Sequence, residues 1–279
     1  LAETPSSFAT GDNILRFLPD AVKLTHTRYG LMLYPAGDIY IGPCLEAYGE
    51  YCPEEANAFR QLVRPGHIVA EIGANIGSHT VSLARFVGSE GQVHAFEPQR
   101  MVFQMLCANL ALNGISNVRA RQVGLGAQAG SLRATSPQPA AVANFGGVSL
   151  GSHGRETVEI VTLDSLNLER LDFVKIDVEG MEEAVIRGGL ETIRRLRPRL
   201  YVENDRADAS ESLIRLIRGL GYRLWWHAPA LYQPNNFRNY ARNIFPKNIV
   251  SVNMLCIRDD EVVQTNYEEI LEDTARCQL

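Results

Sequence analysis

The segment Glu71-Ile72-Gly73-Ala74-Asn75-Ile76-Gly77 sets an acid, two glycines and an asparagine between an apolar run, His67 to Ile72, and helical spacing from Thr80 to Phe86. Glycines at the end of a strand and before a helix let a backbone approach a ligand closely. The spacing is E-x-G-x-x-x-G, not the G-x-G-x-x-G of dinucleotide-binding folds. That difference has chemical content. A pyrophosphate wants bare amide donors and no carboxylate nearby, whereas S-adenosylmethionine carries a sulfonium and an ammonium that tolerate Glu71. Glu97 closes a second short strand, Gln92 to Phe96, 24 residues after Gly73, where an acid can accept hydrogen bonds from ribose hydroxyls. Pro98 then stops further pairing and turns the chain over the adenosine. NAD enzymes use the same ribose device, so Glu97 points to adenosine rather than to a methyl donor.

A third group of acids follows. In Lys175-Ile176-Asp177-Val178-Glu179-Gly180, strand alternation puts Lys175, Asp177 and Glu179 on one face and Ile176 and Val178 on the other. Acids at the carboxyl end of a parallel strand point into the crevice where open α/β sheets bind ligands. The alternative for Glu179 is a cap on the next helix, worth about 0.3–1 kcal/mol. Glu203-Asn204-Asp205 ends a further strand and adds oxygens to the same rim. If a hydroxyl is the methyl acceptor, it must lose a proton during or after attack. Glu179, Glu203 and His227 are the candidates for that role, while His79, beside the glycine loop, fits the cofactor better. Asp177 or Glu179 with Glu203 and Asn204 would also offer hard oxygen ligands to Mg²⁺. The simpler expectation is that no metal is needed, with these acids holding an ammonium and acceptor hydroxyls.

The elements that must position these residues alternate along the chain. Strands are predicted at His67–Ile72, Gln92–Phe96, Val118–Leu125, Leu171–Val178, Pro198–Glu203, Tyr222–His227 and Val250–Arg258. Helices are predicted at Thr80–Phe86, Met101–Leu112, Met181–Leu190 and Ser210–Leu220. This alternation predicts one doubly wound α/β sheet of about seven strands. The chain divides into an N-terminal approach that covers the cofactor (1–60), a catalytic domain (61–260) and a C-terminal tail (261–279). A polar, glycine-rich interruption, Ala134 to Glu156, is read as a lid or a loose surface loop. The stretch Pro229 to Lys247 carries Asn235, Asn236, Asn239 and Asn243 among aromatics, which suits hydroxylated substrates or a loop that satisfies its own backbone.

Composition narrows the partners. The 279 residues are 46% hydrophobic and 21% charged, with a net charge of −5, so a core forms and duplex nucleic acid is an unfavourable partner. No run of about 18 apolar residues supports membrane insertion. Leu1 to Ala21 lacks the basic start and apolar stretch of a leader. Cys44, Cys52, Cys107, Cys256 and Cys277 are odd in number and lack C-x-x-C spacing, which reads as reduced thiols in the cytoplasm.

These residues, in this order, resemble the FkbM-type S-adenosylmethionine-dependent methyltransferases over about residues 28 to 258. The resemblance is carried by Tyr48-Gly49-Glu50 with Glu55, the glycine loop with His79-Thr80, and Phe96-Glu97-Pro98. It continues in Gly124-Leu125-Gly126, Leu163-Asp164, Asp172 to Gly180, and the Arg197-Pro198 strand that ends at Glu203. It implies a class I methyltransferase sheet, six parallel strands with an antiparallel seventh, and O-methylation of hydroxyls on sugars or secondary metabolites. It further implies S-adenosylmethionine contacts from Glu71, Gly73, Asn75, Gly77, His79, Glu97, Pro98, Gly124 and Asp177, with Tyr48 and Glu50 covering the cofactor. Trp225-Trp226-His227 through Asn253-Met254-Leu255-Cys256 resembles a subgroup found with polysaccharide biosynthesis, which leans toward a glycan acceptor. An NAD-dependent oxidoreductase and a non-catalytic methyltransferase-like binding module stand as the alternatives. A homo-oligomer is left open.

Overall fold

The computed structural model describes residues 20–277 except 136, 138–140, 148, 149 and 152. The chain enters as an antiparallel hairpin, β1 (Val22–Thr27) and β2 (Gly30–Pro35), followed by α1 (Ile41–Tyr48) and α2 (Pro53–Leu62). Pro53 opens α2 with Glu54 and Glu55 in its first turn, the arrangement that suits a helix's positive end. Alternation then begins: β3 (Ile68–Ile72), α3 (Thr80–Val87), β4 (Gln92–Phe96), α4 (Arg100–Leu112) and β5 (Val118–Arg121). A small sheet interrupts it, made of β6 (Gly124–Leu125), β7 (Gly130–Ala134) and β8 (Glu156–Val161). The second half is β9 (Phe173–Ile176), α5 (Glu182–Arg187), α6 (Leu190–Leu196), β10 (Arg199–Glu203), α7 (Ser210–Arg218), β11 (Tyr222–His227) and β12 (Asn253–Arg258).

The main sheet runs β11-β12-β10-β9-β3-β4-β5. β12 is antiparallel to both β10 and β11, and the neighbouring pairs from β10 to β5 are parallel. This is the class I methyltransferase order that the resemblance implied. Central strands such as Phe173-Val174-Lys175-Ile176 are buried throughout because helices cover both faces. Ala70, Val174, Leu200 and Leu224 meet α5 and α7 on one side. Val69, Phe173, Tyr201 and Leu255 meet α2 and α3 on the other. Strand order reverses between β3 and β9, so the crevice opens at their carboxyl ends.

Several expected boundaries move. The run Val118–Leu125 is two strands: β5 pairs with β4, while β6 leaves the main sheet and pairs with β8. The alternation of apolar and polar residues through Val118–Leu125 does not reveal that change of partner. The helix expected at Met181–Leu190 breaks at Gly188-Gly189, where a Cβ on Gly188 would lie 2.0 Å from the Gly126 carbonyl oxygen. The close approach of the two backbones requires glycine at 188, and a Gly-Gly pair is also a poor helix former. The N-terminal approach contains the β1–β2 hairpin, and residues 268–270 run along the edge of β11. There Trp226 N–H donates to Glu268 O and Ile270 N–H to Leu224 O, and Ile270 is buried in the core.

Candidate active site

The glycine loop is built by its neighbours. Gly73 and Ala74 N–H groups donate to the Phe96 carbonyl at the end of β4. Gly73 has φ +86°, and a Cβ there would lie 1.7 Å from the Asp177 carbonyl oxygen. This glycine therefore lets the loop cross the end of β9, a constraint that acts before any ligand arrives. Gly77, φ +89°, lets the loop pack against Leu106 of α4, where a Cβ would stand 2.7 Å from Cδ1. Asn75 adopts φ +51°. Its N–H donates to Glu97 Oε2 at 3.0 Å, and the Gln99 N–H donates to Glu97 Oε1 at 2.8 Å. Glu97 thus ties the loop to β4 with lone pairs left for ribose hydroxyls. Burial outweighs those two donors and raises its carboxyl to about 7.

Glu97 stands where two concavities join. One is a narrow, mainly apolar slot walled by Ile72, Phe96, Pro98, Val123, Leu125 and Met181, with Gly124 beside them. The other is a polar cleft of about 270 Å³ reached by Glu71, Asn75, His79, Lys175, Asp177, Glu179 and Glu203. Gly73, Glu97, Gly146, Asp177 and Glu179 line both. Most residues expected to touch the cofactor therefore meet at one junction.

A charge network forms the floor of the cleft. Lys175 is 3% exposed, and its Nζ lies 2.9 Å from Asp177 Oδ2. Burial pulls the ammonium's pKa down, but Asp177, Glu71 and Glu55 outweigh it and hold it above its ordinary value. Glu55, from α2, sits 3.0 Å from His79 Nε2 and accepts from Asn253 Nδ2 at 3.1 Å. Burial would raise Glu55, yet His79 and Lys175 bring it to about 2. Glu71 is 1% exposed, with Oε2 unpartnered and its carboxyl raised by burial.

At the acceptor side, carboxylate oxygens of Asp177, Glu179 and Glu203 lie within 4.8 Å of one another. Alternation does not place Glu179, because β9 ends at Ile176 and Glu179 turns through φ +58°. Arg206 donates to Glu179 Oε2 at 3.1 Å. Burial, then Asp177 and Asp205, raises Glu179 to about 7. Burial and the facing acids push Glu203 to about 11, and its Oε2 is buried without a partner.

Four expectations are not met. The Tyr48 hydroxyl accepts from Ile244 N–H at 2.9 Å and its ring packs beside Tyr232, so it anchors the segment after β11 instead of covering the cofactor. Glu50 pairs with Arg28 and accepts from Phe237 N–H at 2.6 Å, away from both concavities. His227 lies on edge strand β11, away from both concavities, with Nδ1 2.8 Å from the Tyr201 hydroxyl and its ring stacked on Tyr267. Burial lowers its pKa. Asn204 donates to Ser210 Oγ at 3.0 Å and cannot join the acids. Adjacent residues on a strand face opposite ways, which separates Asn204 from Glu203.

Three contributors were not singled out. Tyr51, rather than Tyr48, lines the cleft. Asn109, fully buried on α4, donates to Ile76 O at 2.8 Å and to Leu33 O at 2.9 Å, clamping the glycine loop to the hairpin. Gln99 Nε2 donates to Phe145 O at 2.9 Å and so holds residues 143–147 over the junction. A polar residue inside an apolar helical stripe was the available signal for Asn109.

The sequence matches the Methyltransferase FkbM domain over residues 71–224, more than half of the chain. The chain belongs to the FkbM methyltransferase family. Curated relatives include "Methyltransferase sdnD" of Sordaria araneosa, 28% identical over 51% of this chain and 66% of the relative. Another is "Methyltransferase 1" of Beauveria bassiana, 28% identical over 43% of this chain and 57% of the relative. This FkbM-family chain therefore aligns with 66% and 57% of those relatives' lengths, less than two-thirds of either. Among solved structures, methyltransferase FkbM from Methylobacillus flagellatus superposes with a TM-score of 0.43 at 15% identity, over 72% of this chain and 50% of that one. TYW2 from M. jannaschii, solved with AdoMet, gives 0.45 at 15% identity, over 91% of this chain and 89% of that one.

Proposed function

We propose that this FkbM-family chain transfers a methyl group from S-adenosylmethionine to a hydroxyl of a sugar, glycan or secondary metabolite. The observation that carries the reading is Glu97, a buried acid at the junction of an apolar slot and a polar cleft. The residues present fit the cofactor. The slot suits an adenine, the Glu97 lone pairs suit ribose hydroxyls, and the acids Asp177 and Glu71 suit an ammonium and a sulfonium. When bound, the cofactor supplies an activated methyl on a good leaving group, so the protein's work is alignment and proton removal.

Lys175 holds Asp177 in place from below. Glu55 fixes His79 beside the loop. Glu179, the acid common to both concavities, takes the acceptor's proton, with Glu203 beside it at the acceptor end of the cleft. Residues 143–147 form the inner part of the expected lid. Ala143 N–H donates to Gly37 O at 3.0 Å, Phe145 is buried, and Asn144 and Gly146 reach the cleft. Positions 136, 138–140, 148, 149 and 152 of that lid lie outside the described residues.

An NAD reading is disfavoured by Glu71, whose carboxylate faces the place a pyrophosphate would take. A nucleic-acid acceptor is disfavoured by the acidic cleft and the net charge of −5. No helix among the described residues is long and apolar enough to cross a membrane. The deciding experiment is calorimetry with S-adenosylmethionine and NAD, followed by methyl transfer from labelled cofactor to a panel of hydroxylated acceptors. Binding of NAD alone would refute the proposal.

A further inference from the structure

The acceptor end of the cleft carries more acid than the methyl donor can use. Asp177, Glu179, Glu203 and Asp205 all line it. The lysine among its described lining residues, Lys175, is engaged by Asp177, and His79 is engaged by Glu55. Arg206, at the rim, reaches Glu179 at 3.1 Å and Asp205 at 3.8 Å. One ammonium from the donor's methionine end satisfies Asp177 or Glu71. That leaves Glu203, whose buried Oε2 has no partner, and Asp205 with no positive group from the donor. Glu71, 1% exposed with its own Oε2 unpartnered, adds negative potential from the same cleft.

Resting on the methyl-transfer reading, we propose that the acceptor is a hydroxylated molecule that bears a protonated amine and carries no phosphate or carboxylate. The amine sits between Glu203 and Asp205 and places a neighbouring hydroxyl toward Glu179. The raised carboxyls of Glu179 and Glu203 are compatible with this: burial, and then the facing acids, hold protons there that an arriving cation would displace. A phosphate or carboxylate would meet like charge, and the nearby cations Lys175 and Arg206 are already paired with Asp177 and Glu179. A divalent ion fits less well than an ammonium. Lys175 on Asp177 and Arg206 on Glu179 already take two of the three carboxylates it would need.

The test uses the full chain saturated with S-adenosylhomocysteine and titrated with D-glucosamine, N-acetyl-D-glucosamine and D-glucuronic acid at neutral pH. Expected is binding of glucosamine about tenfold or more tighter than its N-acetyl form, with none for glucuronic acid. Glu203→Gln with Asp205→Asn should erase the glucosamine preference while S-adenosylhomocysteine affinity holds, which shows the variant is folded. Equal binding of the three sugars, preference for glucuronic acid, or no glucosamine binding overturns the inference while cofactor binding stands. Loss of S-adenosylhomocysteine binding in the unaltered chain would instead overturn the methyl-transfer reading itself.

Discussion

Glu97 does two jobs with one carboxylate: it closes the glycine loop and faces the junction where a ribose fits. Glu97→Gln should weaken S-adenosylmethionine binding by about 1–3 kcal/mol, read by calorimetry. An unchanged affinity would remove the ribose assignment. The same residue predicts a pH dependence. Its folded carboxyl lies near 7 against an ordinary value of 4.5, so the empty protein holds a proton there that the unfolded chain releases earlier. That contribution to stability is complete below 4.5 and fades as pH rises through 7. Ribose hydroxyls and a cationic cofactor both favour the ionised form, so binding should release protons near neutrality and strengthen from pH 6 to 8. Calorimetry in two buffers of different ionisation enthalpy measures the release, and Glu97→Gln should reduce it. Gly73 belongs to the same scale. Gly73→Val should lower stability as well as cofactor affinity, because its Cβ meets the Asp177 backbone. A variant as stable as the parent would contradict that geometry.

At the scale of elements, the small β6–β7–β8 sheet replaces a simple return from β5 to β9 and brings residues 143–147 over the junction. Phe145 anchors that segment among Met32, Tyr34, Ile41 and Val102. Removing such a ring costs about 3–5 kcal/mol, more than a short loop holds in reserve. Phe145→Ala should therefore free the segment and raise the dissociation constant for S-adenosylmethionine about tenfold, with little effect on the main unfolding transition. Asn144→Ala, at the cleft but outside the slot, should impair turnover more than cofactor binding. Equal losses in both would argue that the segment only supports the loop.

For the whole molecule, the C-terminal segment covers the edge of β11, an edge that would otherwise offer unpaired backbone groups. Arg218 and Arg223 pair with Asp273 and Glu269, and these surface pairs contribute little individually. Ile270 carries more because it is buried in the main core. Ile270→Ala should cost about 2–5 kcal/mol in urea denaturation while cofactor affinity is kept. A loss below the error of that measurement would show that the segment is dispensable.

The sequence by itself determined the alternation of strands and helices, the glycine loop, Glu97 and the acids after β9, because period, turn chemistry and charge are local properties. It also carried the family. Partner choice was not local. Nothing in Val118–Leu125 says that β6 abandons β5's neighbour for β8. Tyr48, Glu50 and His227 looked as chemical as Tyr51, Glu55 and His79, yet the first three line neither concavity, His227 because β11 is the edge strand, while the second three line the cleft. Glu179 shows the limit most clearly. Alternation assigned it to the right rim for the wrong reason, and only a left-handed turn returns it to Asp177 and Glu203. Burial, which sets the protonation of Glu97, Glu179 and Glu203, depends on every layer packed around them and exists only in the folded chain.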